Sequence, residues 1–224
     1  GQVLRVDDRP AVGVEVGIGR IVTRTDANGM FVLTGVPAGR QELFVDGSRG
    51  GRRARGLQYG QFVAGVDIEA GVLNELPYQM FIPQIAERDR IRIPSPLRED
   101  VVLTHPDMPG LEVHVPAGTV FRDRRGRILE EIALVPTPVN RAPVPVPENF
   151  PMYFTVEPGG AVIQGLTPDA AQGIRIHYPN YDGYTAQEQA DFYIYDPAVG
   201  WQIYGNGRLN AAGSHFVPEQ GVAL

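Results

Sequence analysis

Val12-Gly13-Val14-Glu15-Val16 and, after four intervening residues, Ile21-Val22-Thr23-Arg24-Thr25-Asp26-Ala27-Asn28-Gly29-Met30-Phe31-Val32-Leu33 carry the pattern that sets the fold class. Apolar residues recur at every second place, the period at which the side chains of a strand return to one face. Val12, Val14 and Val16 are therefore expected on one face, with Gly13, Glu15 and Gly17 on the other. Ile21 to Thr25 reads as a second strand. Asn28-Gly29 supplies the positive φ of a tight hairpin turn, so Met30 to Leu33 is expected to run back as its partner. A further turn at Val36-Pro37-Ala38-Gly39 leads into a strand over Gln41 to Val45.

Composition points the same way. Glycine (27) and proline (20) make up about a fifth of the 224 residues, which predicts many turns and short elements. An apolar fraction of 43% rich in Val, Ile, Phe and Tyr suits half-buried pleated surfaces, and the predicted class is all-β. The formal charge of −6 argues against nucleic acid as a partner, because affinity for a phosphate backbone comes from a cationic surface that releases counterions. Every basic residue is Arg, so an isopeptide staple, a Schiff base and a P-loop lysine are excluded. Cysteine is absent, which removes disulfides and thiolate metal sites. No stretch approaches the roughly 18 apolar residues of a membrane span. Opening on Gly1 without Met, the chain reads as a piece of a longer polypeptide whose targeting signal lies elsewhere.

Two domains are expected, 1–83 and 101–224, joined by a linker over 84–100 whose Ile93-Pro94-Ser95-Pro96 lacks the donors of a central strand. In the second half, strands are predicted at Leu111 to Val115, Thr119 to Phe121, Ile128 to Val135, Met152 to Val156, Gly173 to His177, Asp191 to Tyr195, Gly200 to Tyr204 and His215 to Val217. Pro136 to Pro151 reads as an extended, polyproline-like connection. Thr185 to Ala190 has the composition of a short helical turn. Four arginines between Gly47 and Gly56, with no aromatic residue among them, read as a solvated or partner-facing loop, with polyanion binding as the alternative.

Several of these residues carry a resemblance. Gly1-x-Val3, Arg9-Pro10-Ala11-Val12-Gly13-Val14-x-Val16, Thr25-Asp26-x-Asn28-Gly29-x-Phe31-x-Leu33 and Val36-Pro37-x-Gly39 look like the carboxypeptidase regulatory-like domain. Val66 to Gly71 and Tyr78 to Pro83 resemble its last strands. The resemblance implies a transthyretin-like β-sandwich over 1–83, an accessory module found beside many partners, so it says little about activity. Leu111-Glu112-Val113-His114-Val115-Pro116-Ala117-Gly118-Thr119 is similar to the opening of the sandwich domain shared by ankyrins and netrin receptors. Val156 to Ala161, Tyr178-Pro179-Asn180, Tyr193 to Pro197, Gly200 to Gly207, Phe216 to Pro218 and Gly221-Val222 resemble the segment before the repeats of bacterial Rhs/YD-repeat, teneurin-like proteins. Together these likenesses imply two β-sandwich-like domains, the second a plug. They would form the N-terminal module of a large secreted or cell-surface bacterial protein, a toxin shell or an adhesin. The partner implied is the remainder of its own polypeptide, the repeat shell.

The residues offer little chemistry. His215-Phe216 is followed by Val217 where a self-cleaving sandwich needs the Ser hydroxyl. Ser48, Ser95 and Ser214 stand outside any nucleophile elbow. His105, His114, His177 and His215 are spaced singly, so each reads as a strand or turn residue and no metal set is predicted. Neighbouring Glu130-Glu131 point to opposite faces of a strand and cannot flank one bond. The expectation is that the chain is not an enzyme and holds no cofactor. Asp26 with Asn28, Asp196, and Asn180 with Asp182 offer oxygen ligands for Ca²⁺, although turn formation explains them equally well. Tyr181, Tyr184, Trp201 and Tyr204 are the candidate binding surface, with a glycan or a surface protein as the alternative partner. Trp201 itself is expected to be largely buried.

Overall fold

Strand accounts for 48% of the chain and helix for 4% in the computed structural model, so the protein is all-β. The structure describes residues 1–48, 58–148, 150–185 and 188–224. Its early strands are β1 (Val3–Arg5), β2 (Glu15–Ile18), β3 (Ile21–Arg24), β4 (Gly39–Asp46), β5 (Gln58–Tyr59), β6 (Gln61–Ile68), β7 (Met80–Ile82) and β8 (Gln84–Ile85). Then follow β9 (Arg90–Arg92), β10 (Val101–His105), β11 (Met108–Val115), β12 (Thr119–Arg122), β13 (Glu131–Thr137), β14 (Tyr153–Glu157) and β15 (Val162–Gly165). The last are β16 (Arg175–Pro179), β17 (Gln189–Asp196), β18 (Gly200–Leu209) and β19 (His215–Pro218). Among the described residues, no helix is long and apolar enough to cross a membrane.

The strands belong to two units. One comprises Gly1–Arg90, Ala133–Gly160 and Asp196–Gly200; the other comprises Ile91–Ile132, Ala161–Tyr195 and Trp201–Leu224. The linker predicted over 84–100 instead contains β8, β9 and a 3-10 turn at Glu87–Asp89. The segment 133–160, expected in the second half, belongs to the first unit. Its β13 and β14 form an antiparallel hairpin with Leu134 opposite Val156 and Thr137 opposite Tyr153. The proline-rich stretch is thus the connection within a hairpin. Pairing decided the division here, and pairing across a long loop leaves no mark in a linear pattern.

In the first unit, β3-β2-β4-β6 form an antiparallel sheet. Val16 sits opposite Val45, and Ile18 opposite Leu43, which in turn faces Ala64. All five are buried, each large one contributing about 1.5–3 kcal/mol of apolar burial. On the other face Gly17 leaves room for the Phe44 ring, into which a Cβ would project. Gly65 does the same for the Pro197 carbonyl, which accepts two hydrogen bonds from the Arg40 guanidinium at 3.0 and 3.2 Å. That contact ties residues 196–200 to this unit. β1 pairs in parallel with β7, placing buried Val3 beside Met80.

Two expectations for this region are corrected. Gly29 does take positive φ (73°), yet Met30 to Leu33 does not return as a strand against β3. Asp26 Oδ1 accepts from the backbone N–H groups of both Asn28 and Met30, and Met30 forms an isolated antiparallel bridge with Gln2 in place of pairing with β3. Phe31 then bonds to the Gly1 carbonyl and is buried. Val12 does not share the face of Val14 and Val16 either: it is 48% exposed, against 1% and 0%. Gly13 has φ of 74° and the ladder begins at Glu15, so strict alternation does not reach back to Val12. A Cβ at Gly29 would overlap the Val3 carbonyl oxygen. Gly29→Ala is therefore expected to lower stability by at least about 1 kcal/mol, read as a drop in the urea midpoint at unchanged slope.

In the second unit, a six-stranded sheet runs β10-β11-β16-β19-β18-β17. Alternation holds well here. Leu111, Val113 and Val115 on β11 and Ile174 and Ile176 beside them are buried, with Val113 directly opposite Ile176. The intervening Glu112, His114, Arg175 and His177 therefore share the opposite, wetter face. β12 pairs with β15, a strand absent from the sequence reading.

Candidate functional site

Strand register builds a cluster on that wetter face. Glu112 and His114 are two residues apart on β11, and Glu112 lies directly opposite His177 on β16. Next along the sheet, His215 on β19 lies opposite Pro179, two residues beyond His177. Side chains opposite one another on paired strands have Cβ atoms about 5 Å apart, which brings long polar groups together without any loop. His114 Nε2 is 2.9 Å from Glu112 Oε2, and His177 Nδ1 is 3.5 Å from the same oxygen. The His114 and His177 rings stack with centroids 3.9 Å apart, tilted by 33°. His215 Nε2 donates to the Gly110 carbonyl at 2.8 Å and stands 4.0 Å from Glu112 Oε1. Its Nδ1 meets the Ser214 hydroxyl at 2.8 Å.

Electrostatics follow from this packing. The hydrogen bond from His114 holds the Glu112 carboxyl below the usual carboxylate range, assisted by the other two imidazoles. Burial pushes His177 down, and the neighbouring His114 adds to the effect. The site thus pairs an ionised carboxylate with imidazoles of which His177 favours its neutral, lone-pair-bearing form. The reading of four singly spaced histidines is corrected, since three of the four gather around one carboxylate. Glu112-x-His114 within a strand was the available signal, because residues i and i+2 share a face; His177 and His215 needed the strand order.

The aromatic candidates are placed differently from one another. Tyr181 and Tyr184 are 47% and 46% exposed. Tyr181 donates its hydroxyl to the Pro109 carbonyl at 2.9 Å, and Tyr184 sets its edge against Phe216. The loop between them is fixed by Asn180, whose side chain exchanges bonds with the Tyr184 backbone. Tyr204 packs with Phe192, and its hydroxyl lies 3.4 Å from that of Tyr178. Burial raises the pKa of both tyrosines. Trp201 is half-buried, not largely buried as expected, and forms a T-shaped pair with Tyr195 at 5.4 Å. The pair sits on the two strands that end the six-stranded sheet, where fewer neighbours cover a ring.

Three of the oxygen ligands considered for Ca²⁺, Asp26, Asn180 and Asp196, cap backbone. Asp26 and Asn180 do so as described, and Asp196 accepts from the Ala198 N–H at 2.7 Å. The arginine cluster falls largely on residues 49–57, outside the described residues, as do 186 and 187 of the expected helical turn. Gln189 and Ala190 of that turn open β17.

One buried acid escaped the sequence reading altogether. Glu157, at the end of β14 in the first unit, is 3% exposed. Its Oε2 accepts from the Gln61 and Gly159 N–H groups at 2.9 and 2.8 Å, and its Oε1 from the Thr155 hydroxyl at 3.2 Å. Burial nonetheless pushes its pKa up to about 7, those donors pulling against the shift and Asp46 adding to it. Glu157 fastens β14 to the start of β6.

No family model matches the chain, and neither a curated protein nor a solved structure matches it. The class is therefore given by the structure itself: an all-β protein of two units.

Proposed function

We propose that the chain is a non-catalytic scaffold and interaction module of a larger secreted or surface protein of the Rhs/YD-repeat kind, with a transthyretin-like first part. It works by docking onto the remainder of its own polypeptide. The observation that carries this reading is the surface of the first unit. Val12, Val22, Met30, Val32, Val72 and Leu73 are between 43% and 87% exposed. Val22 lies on β3, an edge of the four-stranded sheet. An edge strand with apolar side chains offers both main-chain pairing and burial to a partner. The residue pattern that resembles the regulatory-like domain supports the same reading.

The test supplies the remainder of the polypeptide in trans and measures its affinity for the chain. Val22→Asp and Val32→Asp change exposed positions and should leave the circular dichroism of the fold intact. Together they are expected to weaken binding at least about tenfold, the loss that a charge placed in a desolvated contact brings. Wild-type affinity in the double variant, or no association at all, would overturn the proposal.

A second reading rests on Tyr181 and Tyr184, whose exposed rings could stack on a sugar. Glycan binding abolished by Tyr184→Ala or Trp201→Ala in a folded chain would favour it over docking.

A further inference from the structure

The cluster on the polar face of the six-stranded sheet has a composition that scaffolding does not require. Its groups come from two adjacent strands whose register is fixed by the buried residues on the opposite face. One ligand atom each from Glu112, His114 and His177 lies within 4.8 Å of the other two. A cation held at 2.0–2.2 Å by imidazole and carboxylate needs its ligands about 3.4 Å apart in a tetrahedral arrangement. Small χ rotations close that difference. Two nitrogens and one carboxylate oxygen suit the borderline first-row ions, whereas Ca²⁺ and Mg²⁺ want more oxygens.

We propose that Glu112, His114 and His177 bind one divalent transition-metal ion, with Zn²⁺ the representative member. His114 coordinates through Nε2 as its Nδ1–H tautomer, so its hydrogen bond to Glu112 is replaced by two bonds to the metal. His177 approaches through Nδ1, the nitrogen already turned toward Glu112. All three side chains are partly solvent-accessible, at 35%, 36% and 19% for His114, Glu112 and His177, which gives the ion an entry path and leaves a fourth position to water or to a donor from a partner. His215 is a positioning residue. Its bond to Gly110 clamps β11 two residues before Glu112, and that nitrogen is already occupied as a donor.

The experiment is a titration of the untagged full chain with Zn²⁺ against a chromophoric chelator, paired with Co²⁺ absorption. One zinc per chain is expected, together with the intense visible bands of four-coordinate Co²⁺. His177→Ala and the near-isosteric Glu112→Gln should each weaken binding at least about tenfold, the range seen when metal-site groups are removed. Circular dichroism of both variants separates lost ligands from lost fold. Zinc should also raise the melting temperature of the wild type by more than that of Glu112→Gln at the same zinc concentration. Substoichiometric zinc binding by the wild type, or wild-type affinity in the two folded variants, would overturn the assignment.

Discussion

Glu157→Gln is expected to gain roughly 3 kcal/mol on the wild type as pH rises from about 4.5 to about 8, because each unit of pKa difference between folded and unfolded chain is worth about 1.4 kcal/mol. The folded carboxyl has its pKa raised from 4.5 to about 7. It therefore binds its proton more tightly in the folded chain than in the unfolded one. That contribution is complete below the unfolded value and is lost as pH climbs through about 7. Glutamine keeps the geometry without the titration: its carbonyl can take the place of Oε2 before the Gln61 and Gly159 amides, and its NH₂ can donate to the Thr155 hydroxyl. Urea unfolding of both chains across that pH range isolates the effect, since every other titrating group is common to them. Parallel stability curves would show that Glu157 is not held in this way.

Leu111→Ala is expected to cost about 2–5 kcal/mol, the range for truncating a fully buried leucine where the surroundings relax incompletely. Leu111 is 0% exposed and immediately precedes Glu112 on β11. It anchors from the buried face the strand that carries two of the three proposed metal ligands. Loss of Leu111 packing should thus reduce zinc affinity as well as the urea midpoint, whereas Ile203→Ala, at an exposed position of β18, should change neither by much. Equal midpoints for the wild type and Leu111→Ala would contradict the sheet assignment.

What the sequence made legible follows from the range of each signal. The class was readable because period-2 patterning is a property of short segments: Leu111, Val113 and Val115 alternate with Glu112 and His114 wherever β11 pairs. The Asn28-Gly29 turn was readable for the same local reason. Its consequence was not, because Met30 and Phe31 pair with Gln2 and Gly1, nearly thirty residues away, in place of β3. The place of 133–160 in the first unit and the approach of His177 to Glu112 both depend on pairing between distant segments. Neither leaves a periodic trace. Glu157 was invisible because the Gln61 amide that it binds and the Asp46 carboxylate that raises its pKa lie about a hundred residues away. Among the aromatic candidates, type and position were legible while exposure was not: Trp201 owes its half-burial to standing near the end of a sheet.

Hydrogen exchange of the chain, free and mixed with the remainder of its polypeptide, tests the docking proposal most directly. Slower exchange is predicted at Ile21–Arg24, through 30–33 and at Val72 and Leu73, with the six-stranded sheet unchanged. Unaltered exchange across the first unit, or protection confined to the six-stranded sheet, would contradict it.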